Sequence, residues 1–83
     1  MTLDVLYFAW IRERIGEPRE TVDSNAATVA DLIDELKQRE DRYALAFSDL
    51  RAVRVAVDQT LVDFHAPLAG AREVAFFPPM TGG

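Results

Sequence analysis

The 83 residues are 49% apolar and 28% charged, with four Gly, four Pro, one His and no Cys, which is one domain's worth of chain. A fold of this size buries only ~60–65% of the surface its unfolded chain exposes. Zero cysteines exclude a disulfide scaffold, a cysteine-held zinc or iron–sulfur site and a cysteine nucleophile, and a single histidine leaves no histidine set for a metal. The formal charge of −5 opposes a nucleic-acid or anionic-membrane partner. The longest apolar run, Val5 to Ile11, is seven residues, against the ~20 of a membrane-spanning helix. No basic segment precedes it as in a secretory signal. These features predict a small acidic domain of the cytoplasm.

In chain order, Leu3 to Ala9 reads as a strand, with Leu3, Val5 and Tyr7 alternating with Asp4, Leu6 and Phe8. Both faces are apolar beyond Asp4, as in an interior strand or one whose outer face meets a partner. Trp10 to Ile15 changes period and predicts one or two helical turns closed by Gly16, with Pro18 following. Glu20 to Asp23 reads as a polar edge strand pairing back on the first.

The clearest helix opens at Thr28, whose hydroxyl can accept from the Asp31 amide. Val29, Leu32, Ile33 and Leu36 form one apolar stripe. Asp34, Glu35, Lys37 and Gln38 take the other side. Tyr43, Ala46 and Phe47 predict a second, short helix or turn.

Beyond Asp49 the period returns to two. Val53, Val55 and Val57 alternate with Arg54 and Ala56. Asp58-Gln59 reads as a turn into a return strand, Thr60 to Val62, and Pro67 and Gly70 mark a loop. Glu73 to Phe77 is the final strand, with Val74 and Phe76 on one face and Ala75 and Phe77 on the other. One main helix across one face of a mixed sheet of about five strands makes an α+β domain over 1–77.

Placing the valine face inward leaves Leu6, Phe8, Ala56, Ala75 and Phe77 outward. If the first, third and last strands are neighbours, these residues form an apolar patch rimmed by Arg12 and Arg54, the character of a docking surface. The alternative is that the second short helix covers it.

Pro78 and Pro79 end the sheet, because neither can donate a backbone hydrogen bond. Their fixed φ favours an extended exit, so 78–83 reads as a projecting, flexible tail. Met80 and Thr81 offer no apolar face to fold back. Gly82 and Gly83 make the narrowest possible peptide, able to thread a slot that a Cβ would block. The one functional group at that end is an α-carboxylate.

The stretch Glu73-Val74-Ala75-Phe76-Phe77-Pro78-Pro79-Met80-Thr81-Gly82-Gly83 closely resembles the end of the small, sulfur-carrier subunits of molybdopterin synthase. Val5 to Ala9 with Arg12-Glu13-Arg14-Ile15-Gly16 resembles the opening of that family, and Val55 to Gln59 its middle strand. Two turn positions depart from it: Asp58 stands where Asn is common, and Ala71-Arg72 replaces a usual Asp before the Glu. The resemblance implies the ubiquitin-like β-grasp fold.

It also implies a function. A carboxylate of pKa ~3.3–3.7 is ionised at neutral pH and a poor electrophile, so ATP must activate Gly83 as an acyl-adenylate. The resemblance assigns that step to a partner adenylyltransferase like the ubiquitin-activating enzymes, and no cofactor is bound by the chain itself. A persulfide protein then supplies the sulfur of a C-terminal thiocarboxylate. Within a heterotetramer of two small and two large subunits, the tail enters the large catalytic subunit and gives its sulfur to a cyclic pterin monophosphate. Two transfers build the dithiolene that later holds molybdenum.

On this reading Gly83 carries the chemistry of a sulfurtransferase that supplies no catalytic side chain of its own. Gly82, Thr81, Met80, Pro79 and Pro78 thread the partner's cleft. Phe77, Phe8, Arg12, Leu6 and Arg54 form the partner surface. His65 and Lys37 read as solvated or structural, and Asp31, Asp34 and Glu35 as a solvent-facing acidic helix face rather than a metal site. Rival readings are a sulfur carrier for the thiamine thiazole, a ubiquitin-like protein modifier, and a β-grasp binding module with an inert terminus. The first two share Gly-Gly but generally lack Phe-Phe-Pro-Pro-x-Thr before it.

Overall fold

The computed structural model describes residues 1–79. Five strands form one mixed sheet: β1 (Thr2–Tyr7), β2 (Arg19–Asp23), β3 (Arg54–Val57), β4 (Thr60–Val62) and β5 (Glu73–Phe77), in the spatial order β2-β1-β5-β3-β4. β1 and β5 run parallel at the centre, and the other pairings are antiparallel. Three helices, α1 (Ala9–Ile15), α2 (Val29–Arg39) and α3 (Asp41–Ala46), contribute buried side chains to a single core. The expected α+β, β-grasp architecture is the one observed.

Local chemistry accounts for the elements. The first strand stops at Tyr7, two residues short of the expected Ala9, because Ala9 takes a left-handed φ of 53° and turns the chain. Phe8 remains extended, while Ile11 and Ile15 pass into the core. Gly16, at φ 93°, closes α1 through its amide to the Arg12 carbonyl, as a left-handed cap does. Thr28 caps α2 by accepting from the Asp31 amide at 3.2 Å. The amides of Val29 and Ala30 donate to the carbonyls of Ala66 and Phe64, so the loop before β5 satisfies donors that a helix N-terminus leaves open. A short 3-10 turn, Leu50–Ala52, precedes β3, so Val53 lies outside the ladder although it is buried.

The inward set matches the alternation read from the sequence. Leu3, Val5, Tyr7, Val55, Val74 and Phe76 are buried together with Val29, Leu32, Ile33 and Leu36 of α2. The Tyr7 and Phe76 rings stack at 6.2 Å, and Phe47 meets Phe76 edge-on at 4.9 Å. Tyr43 and Ala46 of α3 join this same core, so the short helix does not cover the outer face.

One polar knot sits at the core's margin. A single Glu20 oxygen accepts from the Tyr7 hydroxyl at 2.7 Å and the Tyr43 hydroxyl at 2.6 Å. Arg42 lies over the Tyr43 ring and donates to the Ile15 carbonyl at 2.7 Å, fastening α3 to the end of α1. Burial, with the hydrogen bond to Glu20 and its charge, pushes the Tyr43 phenol up to about 12 and raises that of Tyr7 as well.

An unfolded tyrosine ionises at ~10, so the stability each phenol contributes is complete below that pH and is lost as pH rises toward its own raised value, about 12 for Tyr43 and further up for Tyr7. The urea midpoint is expected to fall through this range, and the Tyr7→Phe, Tyr43→Phe double variant to show a shallower fall. A wild-type midpoint that declines no more steeply than the double variant's would refute the role of the knot.

Candidate functional site

With every helix packed into the core on one side, the other sheet face lies bare across its centre. Strand pairing fixes which residues share it. Arg19 pairs with Leu6, Leu6 with Ala75, Ala75 with Ala56 and Ala56 with Leu61, one row across all five strands. Asp4 pairs with Glu73 on one side of this row, and Phe77 pairs with Arg54 on the other. The middle of the face is apolar and its margins are charged.

A groove runs along β5 on this face, lined by Leu6, Phe8, Gln59, Glu73, Ala75, Phe77, Pro78 and Pro79. Ala75 is 8% exposed between its neighbouring strands, Phe8 46% and Leu61 68%. Exposed apolar side chains beside a dry sheet centre have the character of a protein-binding surface. Pro78 and Pro79 belong to that surface, so the stem of the tail leaves from the groove's own wall. Met80, Thr81, Gly82 and Gly83, the expected threading segment and reactive terminus, lie outside the described residues.

The ThiS family pattern matches residues 5–83. The chain belongs to the ThiS family. The molybdopterin synthase sulfur carrier subunit of Escherichia coli K12 is 44% identical over 81 residues, spanning 98% of this chain and 99% of that protein. Among solved structures, SAMP1 from Haloferax volcanii matches the whole of both chains with a TM-score of 0.79 and 25% identity. Subunits 1 and 2 of molybdopterin-converting factor from Helicobacter pylori 26695 were solved as a complex, and a chain of it shares this fold at a TM-score of 0.64 and 24% identity.

Within this ThiS-family fold, the structure brings Leu6, Phe8, Phe77, Pro78 and Pro79 together in one groove. Arg54 stands beside it in register with Phe77, its guanidinium donating to the carbonyls of Arg51 and Val53 at 3.1 and 3.0 Å. Arg12 does not line the groove and lies in a separate hollow with Glu13, Gly16, Glu17 and Pro18. Sequence reasoning did not single out Leu61. Its signal was an aliphatic residue on a three-residue edge strand, whose orientation only the Ala56 pairing supplies.

Candidates off this face are otherwise engaged or apart. Glu35 accepts from the Ser24 hydroxyl at 2.5 Å, while Asp31 and Asp34 point to solvent. No group of three or more His, Asp or Glu among the described residues could hold a metal. His65 is exposed, and its amide donates to the Asp63 carboxylate at 2.7 Å. Among the described residues no helix is long and apolar enough to cross a membrane.

The two turn positions that depart from the family pattern meet each other. Asp58 and Gln59 take φ of 48° and 69°, the left-handed pair of a tight hairpin. One Asp58 carboxylate oxygen accepts from the amides of Arg72 and Glu73 at 3.0 and 2.9 Å, and the Asp58 amide donates to the Glu73 carbonyl at 2.9 Å. The β3–β4 turn thus clamps the start of β5, which is also the groove's acidic end. Asp58→Ala is expected to cost about 1–2 kcal/mol, and Asp58→Asn less than half of that, because Asn keeps the acceptor and tolerates left-handed φ. Equal losses for the two variants, measured by urea unfolding, would show that the carboxylate clamp contributes nothing.

Proposed function

We propose that this chain is the sulfur carrier of molybdopterin synthase and that Gly83 holds the sulfur as a thiocarboxylate. The observation that carries the reading is the full-length likeness, at 44% identity, to a molybdopterin synthase sulfur carrier subunit. The bare apolar face that merges into the stem of the tail supports it. A carrier has to present two things in fixed relation, a surface to be held by and an end to be worked on.

The described side chains are suited to carrying rather than to acid–base catalysis. The two tyrosines are held neutral by burial and by Glu20. The chemistry therefore falls to the terminal carboxylate and to partners. A partner adenylyltransferase joins Gly83 to AMP at the expense of ATP. The terminal sulfur of a protein persulfide attacks the acyl carbon and AMP leaves, and a second thiol releases the thiocarboxylate by forming a disulfide. The large subunit then grips the groove and receives the tail, and the sulfur passes to the cyclic pterin monophosphate. In this scheme the chain acts as a sulfurtransferase subunit in the cytoplasm, in a heterotetramer with two large subunits. It binds no cofactor of its own. Pro78 to Gly82 thread the cleft, and Leu6, Phe8, Phe77 and Arg54 supply the grip, with Leu61 extending it. Arg12, on its separate hollow, contributes at the margin.

A second reading has an observation of its own. SAMP1 of Haloferax volcanii, a small archaeal modifier protein, has this fold over the whole chain, and a modifier would deliver Gly83 to a lysine rather than deliver sulfur. Intact mass after incubation with adenylyltransferase, ATP and a persulfide donor separates the two. One oxygen replaced by sulfur at Gly83 is the expected product, and conversion of the pterin precursor by the large subunit is expected to follow. A glycyl adduct on partner lysines with no pterin conversion would favour the modifier. Deleting Gly83 is expected to abolish transfer with the melting temperature unchanged, and a large loss of stability would mean that the tail is packed structure.

The face makes a separate claim. Phe77→Ala is expected to weaken binding to the large subunit about tenfold or more, in the range of a buried interface aromatic, with a smaller effect on unfolding. A variant that is mainly destabilised as a free chain would overturn the docking role of Phe77.

A further inference from the structure

The edge of a sheet presents a row of backbone donors and acceptors that a further strand can satisfy. We infer that β2 pairs with β2 of a second copy, antiparallel and centred on Thr21, so that the sheets of two chains become one. The inference does not depend on what Gly83 carries.

The ladder between β2 and β1 decides which groups of β2 are free. Met1 and Ser24 exchange both backbone bonds, at 2.8 and 2.9 Å, and the Tyr7 amide donates to the Pro18 carbonyl at 2.9 Å. Bonded and non-bonded pairs alternate in an antiparallel ladder, so Val22 and Glu20 bond to their partners Leu3 and Val5. The amides and carbonyls of Arg19, Thr21 and Asp23 therefore point away from β1. β2 is the outermost strand on that side, and no turn or loop among the described residues bonds these groups. The side chains of the same three residues stand on the bare face. There the Thr21 hydroxyl donates to Asp4 at 3.2 Å, and Arg19 lies 3.6 Å from the Asp4 carboxylate.

Along the edge these residues run cation, neutral, anion, with Thr21 in the middle. A two-fold axis normal to the sheet, between two copies of Thr21, sets Arg19 of each chain opposite Asp23 of the other. Each of the three pairs then exchanges two backbone hydrogen bonds, because these are the residues whose amides and carbonyls face outward. Opposite charges and paired threonines directly across two strands stabilise a sheet, and like charges oppose it. Sliding the pairing by two residues loses the match: Asp23 then meets Glu17 or Thr21, and Arg19 meets Thr21 or Asn25. The side chains of Arg19 and Asp23 are 64% and 90% exposed, so both are open to a second chain. The opposite edge, β4, is three residues long and uncharged.

An axis normal to the sheet keeps both bare faces on one side. The two β5 strands run antiparallel, five strand spacings apart, about 24 Å, and each groove stays open. Pairing through β2 therefore does not compete with docking on the groove. Five residues from each chain make an interface well below the size of a stable dimer's, so the association is weak.

Sedimentation and two-dimensional amide spectra of the full chain, from about 10 μM to about 1 mM, cover the range of such an interface. Dimers are expected toward the upper end, with shifts on dilution at the amides of Arg19, Thr21 and Asp23 and none at Leu6, Ala75 or Phe77. Thr21→Pro removes one outward amide and no bond to β1, and is expected to stay monomeric throughout. Arg19→Asp and Asp23→Arg are each expected to weaken dimerisation about tenfold. Their equimolar mixture is expected to recover it, since each chain then meets the opposite charge, and a folding defect in either variant would not be repaired by mixing. A wild-type chain still monomeric at about 1 mM, dilution shifts on the bare face instead of the edge, or a mixture that associates no better than its parts would each overturn the inference.

Discussion

The pairing of β1 with β5 is the constraint on which the rest of the molecule depends. It joins the first strand to the last, Asp4 to Glu73 and Tyr7 to Phe76, and the two run parallel at the centre of the sheet. A parallel pair cannot be closed by a tight turn and requires a long connection. Here that connection contains α1, α2 and α3. Because all three contribute to one core, the opposite face is left without helical cover. The bare face follows from the pairing together with the placement of the helices.

The same ladder decides what the bare face is made of. Side chains alternate along a strand, so the strands that send Val5, Tyr7, Val74 and Phe76 into the core must send Leu6, Ala75 and Phe77 outward. In a sheet exposed to water those outward positions are ordinarily polar. Here they are apolar at the centre of three adjacent strands, and polarity returns toward the margins, at Asp4, Glu73, Arg19 and Arg54 among others. An apolar centre with a charged rim has the anatomy of a recognition surface, and the free chain carries it at the cost of leaving Phe8 and Leu61 wet.

Much of this was legible before any coordinates. The period-two valines, the Thr28 cap, the Gly16 stop and the stripe on α2 are local signals, set by a residue and its near neighbours, and each holds in the structure. What escaped depends on register and direction between distant segments. Glu20 reads as one acid on a polar strand, and nothing local says that two tyrosines from other elements share its oxygen. Leu61 reads as an edge aliphatic until Ala56 is found opposite it. Arg12 reads from the sequence as part of the rim, but the left-handed turn at Ala9 redirects the chain and Arg12 lies in another hollow. Asp58 and Arg72 looked like two unrelated departures in separate turns, yet one carboxylate joins them.

The strand that forms the centre of the face is also the strand that leads into the tail, and this limits how such a carrier can work. Ala75 and Phe77 lie in the groove, and Pro78 follows within one residue of rise, about 3.3 Å. Whatever grips the groove therefore fixes the tail's point of departure with the rigidity of a hydrogen-bonded strand. The four residues from Met80 to Gly83 span at most about 14 Å. On the proposed reading, an enzyme that holds the groove and works on Gly83 places its reacting centre within that distance of it. Two unrelated enzymes can share one carrier only by meeting the same distance from the same face. On the proposed reading the face and the terminus act as a single gauge, and neither would select a partner without the other.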